Sequence, residues 1–132
     1  MSGIVFDAYS LIAYLEREPA YEQVKAHLEH AAQTGRNVLM CVVNWGEVYY
    51  STMREAGQAK AEEARRVIET LPIELVPADL ALSYRAATYK ATYKMSYADC
   101  FAAALAKAQK ATLVTGDQEF KSLEGEFKIA WL

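Results

Sequence analysis

Four carboxylates in this 132-residue chain lie at positions where α/β proteins commonly carry their chemistry. Asp7 directly follows an apolar run, Glu47 lies in the first turn after a second run, and Asp117 follows a third. Asp99 lies in the first turn of a stretch with helical periodicity. Because the carboxyl ends of parallel strands meet at one edge of a sheet, we expect the four side chains to converge there.

Converging carboxylates repel one another, and a fold tolerates this repulsion when a cation lies among them. Ligands that are all oxygen select a hard ion such as Mg²⁺ or Mn²⁺. Such an ion can generate a nucleophilic hydroxide and stabilise charge on a phosphoryl group. The four acids therefore predict a metal site suited to hydrolysis of phosphodiester bonds.

Taken singly, each acid also has a purely structural interpretation. Glu47 could return a hydrogen bond to a helix cap at Asn44, and Asp99 could do so for a cap at Ser96. Asp7 could cap a helix and Asp117 could be a turn residue. The shared placement of all four favours the metal site. Three other acids lack that placement and are interpreted as caps or surface residues: Glu62, Glu63 and Asp79.

The elements that must position these acids alternate along the chain. Apolar runs predict strands at 3–6, 37–43, 73–76, 111–115 and 127–131. Helical periodicity and capping residues predict a short helix that ends near residue 18, then helices at 19–35, 44–57, 58–71, 79–94 and from 96, with a helical turn at 117–123. The predicted fold is α/β, a three-layer sandwich with a central, mostly parallel sheet between two layers of helices. We expect residues 1–132 to form a single domain.

Composition excludes several classes of protein. With 53% apolar and 23% charged residues, the chain is not a disordered one. The apolar run at 38–43 is far shorter than a membrane span, and no secretory signal opens the sequence. Two cysteines, Cys41 and Cys100, suit buried thiols in a reducing compartment better than a disulfide framework. We therefore expect a cytoplasmic protein with no membrane association.

The net charge of −3 argues against binding of nucleic acid by bulk charge, although the charge is uneven. Five cations between residues 85 and 110 face a single acid, Asp99: Arg85, Lys90, Lys94, Lys107 and Lys110. These cations are either a solvated helix surface or a contact for RNA backbone. Tyr89, Tyr93 and Tyr97 recur every four residues, which predicts one packed helix face rather than a base-stacking surface.

Four segments, in order, resemble a known family. They are IVFDAYSL at 4–11, VNWGEV at 43–48, MSYADCFAAALA at 95–106 and LVTGDQEF at 113–120. The chain is similar to PIN-domain ribonucleases of the VapC toxin type over essentially its whole length. The last two segments are the most specific.

The resemblance implies an endoribonuclease that depends on Mg²⁺ or Mn²⁺ and cleaves structured RNA such as transfer or ribosomal RNA. The family's acidic quartet falls on Asp7, Glu47, Asp99 and Asp117, and Thr115 matches its usual hydroxyl position, with Ser10 as a neighbour. The resemblance also implies a homodimer and a small cognate antitoxin protein whose C-terminal segment lies in a groove near the site.

Other classes fit the residues less well. An aspartyl phosphatase needs a second acid where this chain has Tyr9, and the Gly-x-Ser-x-Gly turn of a serine hydrolase is absent. His27 and His30 share a helix face without other zinc ligands nearby in sequence. The remaining alternative is a catalytically silent PIN-like scaffold that binds protein or RNA.

Overall fold

A computed structural model describes residues 3–132. Five strands form one sheet in the order β3-β2-β1-β4-β5. They are β1 (Ile4–Phe6), β2 (Val38–Cys41), β3 (Ile73–Val76), β4 (Thr112–Thr115) and β5 (Ile129–Trp131). The helices are α1 (Ala8–Leu15), α2 (Tyr21–Thr34), α3 (Val42–Ala56), α4 (Gln58–Glu69), α5 (Leu80–Thr92) and α6 (Tyr97–Gln109), followed by a 3₁₀ helix at Gln118–Leu123.

Every pair of neighbouring strands is parallel, and β1 occupies the centre of the sheet. Its residue Val5 pairs with Leu39 of β2 on one side and with Leu113 of β4 on the other. The carboxyl ends of β1, β2 and β4 therefore lie side by side. The residues that follow these strands meet at one edge, as the sequence predicts.

Both faces of the sheet are covered by helices, which confirms the predicted three-layer architecture. Successive side chains of a strand point to opposite faces. Val5 and Leu113 accordingly pack in a cluster with the buried residues of α5 and α6, whereas Phe6 and Val114 pack with α2. A third cluster joins α1, β2, α3 and α4. None of the helices within residues 3–132 is long and apolar enough to cross a membrane.

Local capping signals explain three of the six α-helix starts within residues 3–132 and the end of α2. Asp7 accepts a hydrogen bond from the Ser10 amide and caps α1, Asp79 accepts one from Leu82 and caps α5, and Ser96 caps α6. Gly35 ends α2 in the left-handed conformation at φ 71°, which glycine adopts without strain. These positions agree with the sequence prediction.

Two expectations about the helix starts were wrong. Asn44 does not cap α3, because the strand ends at Cys41 and the helix begins at Val42. The helix predicted to open at Pro19 begins at Tyr21.

The three tyrosines do not share one helix face. Tyr89 is buried in α5, Tyr93 follows the end of that helix, and Tyr97 begins α6. The Tyr89 and Tyr93 rings contact each other, whereas Tyr97 is exposed and contacts Phe101.

Candidate metal centre

Asp7 is held in place by hydrogen bonds to both of its carboxylate oxygens. The amide and hydroxyl of Ser10 donate to Oδ1 at 2.9 and 3.0 Å. The hydroxyl of Thr115, at the end of the neighbouring strand β4, donates to Oδ2. The Ser10 hydroxyl also lies against the carbonyl oxygen of Val114. Because Asp7 is buried and fixed from two elements, its carboxylate has one orientation.

Thr115 joins Asp7 to a second acid of the site. Its hydroxyl oxygen accepts a hydrogen bond from the Asp117 amide at 3.0 Å while the hydroxyl proton goes to Asp7. The Asp117 carboxylate in turn accepts from the Glu119 amide at 2.9 Å, which starts the 3₁₀ helix. One hydroxyl therefore sets the relative positions of the loop after β4 and the carboxylate after β1.

Three carboxylates form the tightest acidic group among residues 3–132. Asp99, Asp117 and Glu119 each have an oxygen within 4.8 Å of the others. The proximity of Asp117 helps to raise the pKa of the Asp99 carboxyl. Asp99 is brought to this edge by the start of α6, where its amide donates to Ser96 Oγ at 3.1 Å.

Glu47 approaches the group from α3. Its Oε1 atom is buried and has no hydrogen-bond partner within the described residues. One turn earlier, Asn44 is fully buried and its Nδ2 donates to the carbonyl oxygen of Ala98 at 2.9 Å, while its Oδ1 lacks a partner in the described chain. Asn44 thus ties the helix that carries Glu47 to the residue before Asp99.

The electrostatics of the site favour protonation. Burial raises the pKa of Asp7 to about 6, and the charge of Asp117 adds to this rise although hydrogen bonds from Thr115 and Ser10 oppose it. Burial also raises the pKa of Asp99, and the charges of Asp117, Asp7 and Glu47 raise it further. The pKa of Glu47 is raised by burial and by Asp117. The four acids influence one another as a cluster of like charges does.

The geometry separates the metal-site interpretation from the capping interpretation. Glu47 cannot complete a capping box at Asn44, because Asn44 lies inside the helix. Ser96 does cap α6, yet a carboxylate oxygen of Asp99 lies within 4.8 Å of oxygens of Asp117 and Glu119. Asp7 caps α1 and also belongs to the cluster.

Two residues of the site escaped the sequence analysis. Glu119 follows Asp117 by two positions, and this spacing within a helical first turn is the one signal that could have indicated it. Asn44 was interpreted as a cap, whereas its contact with Ala98 spans 54 positions. Such a long-range contact leaves no local pattern in the sequence.

The model of the PIN domain family matches residues 4–126. The chain belongs to the PIN domain family. The matched span contains all four predicted acids together with Ser10, Thr115 and Glu119. No curated protein sequence matches the chain significantly.

Several solved structures, among them VapC and VapBC proteins, have the same fold as this chain. The crystal structure of VapBC2 from Rickettsia felis bound to a DNA fragment from their promoter superposes with a TM-score of 0.78 over 96% of each chain, at 14% identity. VapBC from Salmonella typhimurium bound to DNA gives 0.76 over 98% of each chain, also at 14% identity. VapC20 of Mycobacterium tuberculosis, a toxin that cleaves the sarcin-ricin loop, gives 0.74 over 92% of this chain and 95% of that one, at 14% identity.

Proposed function

We propose that this PIN domain is a metal-dependent endoribonuclease that hydrolyses phosphodiester bonds in structured RNA, such as transfer or ribosomal RNA. The observation that carries the proposal is the meeting of Asp7, Glu47, Asp99 and Asp117 at one edge of the sheet, where burial and the charge of Asp117 raise the pKa values of the other three acids. Enzymes commonly arrange like charges in this way at reactive sites. The VapC20 toxin, of the same fold, acts on RNA.

The donor set fits Mg²⁺ or Mn²⁺. Every side chain that faces the cluster offers oxygen, the ligand these ions prefer. Among residues 3–132 Glu47 Oε1 is buried without a hydrogen-bond partner, and a bound ion would satisfy it. We propose Asp7, Glu47, Asp99 and Asp117 as the metal ligands, with Glu119 as an additional carboxylate beside them. When bound, the ion would supply Lewis acidity and a water of lowered pKa.

The protein's own residues have distinct parts in this proposal. Thr115 and Ser10 are positioning residues, because their hydroxyls fix the Asp7 carboxylate. Asn44 positions the helices that carry Glu47 and Asp99. Burial and the charge of Asp117 raise the pKa of Glu47.

We further propose that the chain is the toxin of a toxin–antitoxin pair in the cytoplasm and that residues 1–132 act as one domain. Its structural neighbours include a toxin–antitoxin complex from Klebsiella pneumoniae, at 16% identity and a TM-score of 0.70. A groove of about 790 Å³ lies beside the helix that carries Glu47, lined by apolar Val42, Trp45, Ile68 and Leu75 with Arg65 among its polar residues. This groove is our proposed position for the C-terminal segment of a small antitoxin.

A homodimer is also part of the proposal, and α5 offers a surface for it. Leu80 is 85% exposed and Tyr84, one turn later, is 76% exposed. Apolar side chains this exposed on one helix face are typical of an interface. Sedimentation should give a dimer for the wild type and a monomer for Leu80→Glu, and an unchanged mass for the variant would exclude this face.

Cleavage of a labelled transfer RNA by the purified protein tests the enzymatic proposal. We expect cleavage with Mg²⁺ or Mn²⁺ and none in EDTA. Asp7→Asn and Asp99→Asn should each abolish it, because an amide is a poor replacement for an anionic ligand. Asp79→Asn is the matched control, since Asp79 only caps α5. Full activity of Asp99→Asn would contradict the proposal, and RNA binding without cleavage by the wild type would favour the silent scaffold.

A further inference from the structure

A tyrosine ring lies at the rim of the acidic cluster, against the loop that carries Asp117. Tyr9 is the second residue of α1, two positions after Asp7. A Cβ atom built on Gly116 would lie 2.3 Å from Tyr9 Cε1 and 2.5 Å from Cζ. Gly116 is not among the glycines with positive φ, so its conformation does not require glycine. The residue is glycine because the tyrosine ring occupies the space of its side chain.

This contact leaves much of the ring free. Tyr9 is 43% exposed although one part of it lies on the Gly116 backbone. Other tyrosines near it in sequence have ring or cation partners, since Tyr14 stacks on Tyr21 and Arg17 lies over the Tyr21 ring. Within residues 3–132 the Tyr9 ring has no such partner, and its hydroxyl makes no hydrogen bond.

We propose that Tyr9 is a stacking platform for a nucleobase that flanks the bound phosphate, an inference that rests on the proposed function at the neighbouring acids. Single-stranded RNA presents unstacked bases to aromatic side chains. A ring that already rests on backbone loses little freedom when a base covers it. Tyr9 also lies between Asp7 and Ser10 in sequence, so a stacked base would fix the backbone next to the Asp7 carboxylate. Tyr9 thereby contributes to RNA binding beside the acids.

A fluorescent oligonucleotide tests this proposal without any cleavage. The probe is an eight-nucleotide oligoadenylate in which one adenine at a time is replaced by 2-aminopurine, whose fluorescence falls on stacking. Binding is measured by titration in EDTA. We expect the wild type to quench the probe at one or two adjacent positions. Tyr9→Leu keeps an apolar side chain over Gly116 but should lose the quench and bind about 5- to 150-fold more weakly, the range measured for single-base stacking. Tyr9→Trp should retain the quench.

Two controls separate stacking from a loss of folding or of general affinity. The first is Tyr50→Leu, which removes a tyrosine of similar exposure (50%) whose ring lies over the Arg54 guanidinium, and it should bind as the wild type does. The second is an oligonucleotide with an abasic site at the quenched position, which should bind wild type and Tyr9→Leu equally. Thermal melts verify that the variants are folded.

Equal binding of the 2-aminopurine probe by wild type and Tyr9→Leu would overturn the platform, as would an unquenched wild-type complex or no detectable binding. Metal-dependent cleavage of transfer RNA is measured separately. If cleavage occurs and stacking does not, only the platform fails. If stacking occurs and cleavage does not, the platform stands and the enzymatic proposal fails.

Discussion

The Asp99 side chain shows how repulsion and helix capping can be told apart by measurement. Two carboxylates about 5 Å apart at an effective dielectric constant near 20 repel by about 3 kcal/mol before proton uptake reduces the value. A favourable dipole effect at a helix start is smaller, about 0.3–1 kcal/mol. Asp99 and Asp117 lie within this range of each other, so repulsion should dominate.

We therefore expect Asp99→Asn to raise the melting temperature in EDTA at neutral pH. Mg²⁺ should narrow or reverse the difference, because an ion at ten times its Kd stabilises the wild type by about 1.4 kcal/mol and the variant far less. Calorimetry of both proteins in EDTA and in Mg²⁺ provides the measurement. If Asp99 acts only as a helix-start acid, the variant melts slightly lower, by the same amount in both buffers.

A second prediction for a single residue concerns Asn44. Asn44→Ala removes the donor to the Ala98 carbonyl and loosens the start of α6 relative to α3. The unpaired group should lower the free energy of unfolding by about 1–3 kcal/mol. The affinity for Mg²⁺, measured by isothermal titration, should fall roughly tenfold, as is typical when a residue that supports metal ligands is removed.

Thr52→Ala is the matched control for Asn44→Ala, because its hydroxyl bonds only to Val48 within α3. Unchanged Mg²⁺ affinity in Asn44→Ala, with stability reduced, would leave Asn44 a purely structural residue.

The residues that sequence could identify are those defined by their place relative to a strand. Asp7 and Asp117 each follow a strand closely, and the pattern of apolar runs is sufficient to find them. Glu119, Asn44 and the contact between Tyr9 and Gly116 depend on packing across the fold. No spacing in the chain records such contacts.

Among the elements, the end of β2 illustrates where local pattern fails. Val42 and Val43 are β-branched and extend an apolar run, which favours a strand up to residue 43. The strand nevertheless ends at Cys41, where its pairing with Val76 of β3 also ends. The helix that follows starts early and places Asn44 inside it. The length of the partner strand coincides with this boundary, and local propensity does not reveal that length.

Hydrogen bonds at and near the connection between α5 and α6 determine which lysine side chains are free to contact RNA. Lys90 donates to the carbonyl oxygen of Met95 at 2.6 Å, and Lys107 donates to the Glu126 carbonyl at 3.1 Å. Lys94 is exposed near Ser96, the cap of α6. The predicted RNA-binding stretch therefore contains both structural and free cations.

We expect Lys94→Ala to weaken binding of an RNA hairpin and to reduce the slope of log affinity against log salt by roughly 0.7–0.9, the effect of one phosphate contact. Lys90→Ala should leave that slope unchanged and lower the free energy of unfolding by about 1.5–3 kcal/mol, because it removes a charged hydrogen bond. Anisotropy titrations in EDTA at several salt concentrations, with urea unfolding of both variants, distinguish the two roles. If the slope is unchanged in Lys94→Ala, Lys94 is a solvated surface residue that does not contact RNA.

At the scale of the whole molecule, the acidic cluster makes stability depend on pH. The pKa of Asp7 is about 6 in the folded protein, and an unfolded Asp has a pKa near 3.9. The folded state thus binds a proton more tightly than the unfolded chain does. The resulting stabilisation is complete below about pH 4 and is lost as the pH rises through 6. Because the pKa of Asp99 is also raised, the loss of stability continues to higher pH.

The melting temperature in EDTA should accordingly fall by several degrees between pH 5 and pH 8, with roughly 3–5 °C for each kcal/mol lost. Mg²⁺ should restore much of the loss at pH 8. The double variant Asp7→Asn with Asp99→Asn should flatten the pH dependence, whereas Asp79→Asn should not. Equal melting temperatures at pH 5 and pH 8 for the chelated wild type would contradict the raised pKa values.

The hydrogen bond between Thr115 and Asp7 joins residues 108 positions apart, and β1 is paired on one side by a strand that begins at Thr112. A chain still being synthesised therefore lacks the hydrogen-bond partner of Asp7 on β4 until Thr115 has been translated. Two further acids of the cluster, Asp117 and Glu119, are added after that point. A ribosome that makes this protein is not exposed to a finished acidic site until Glu119 has been added.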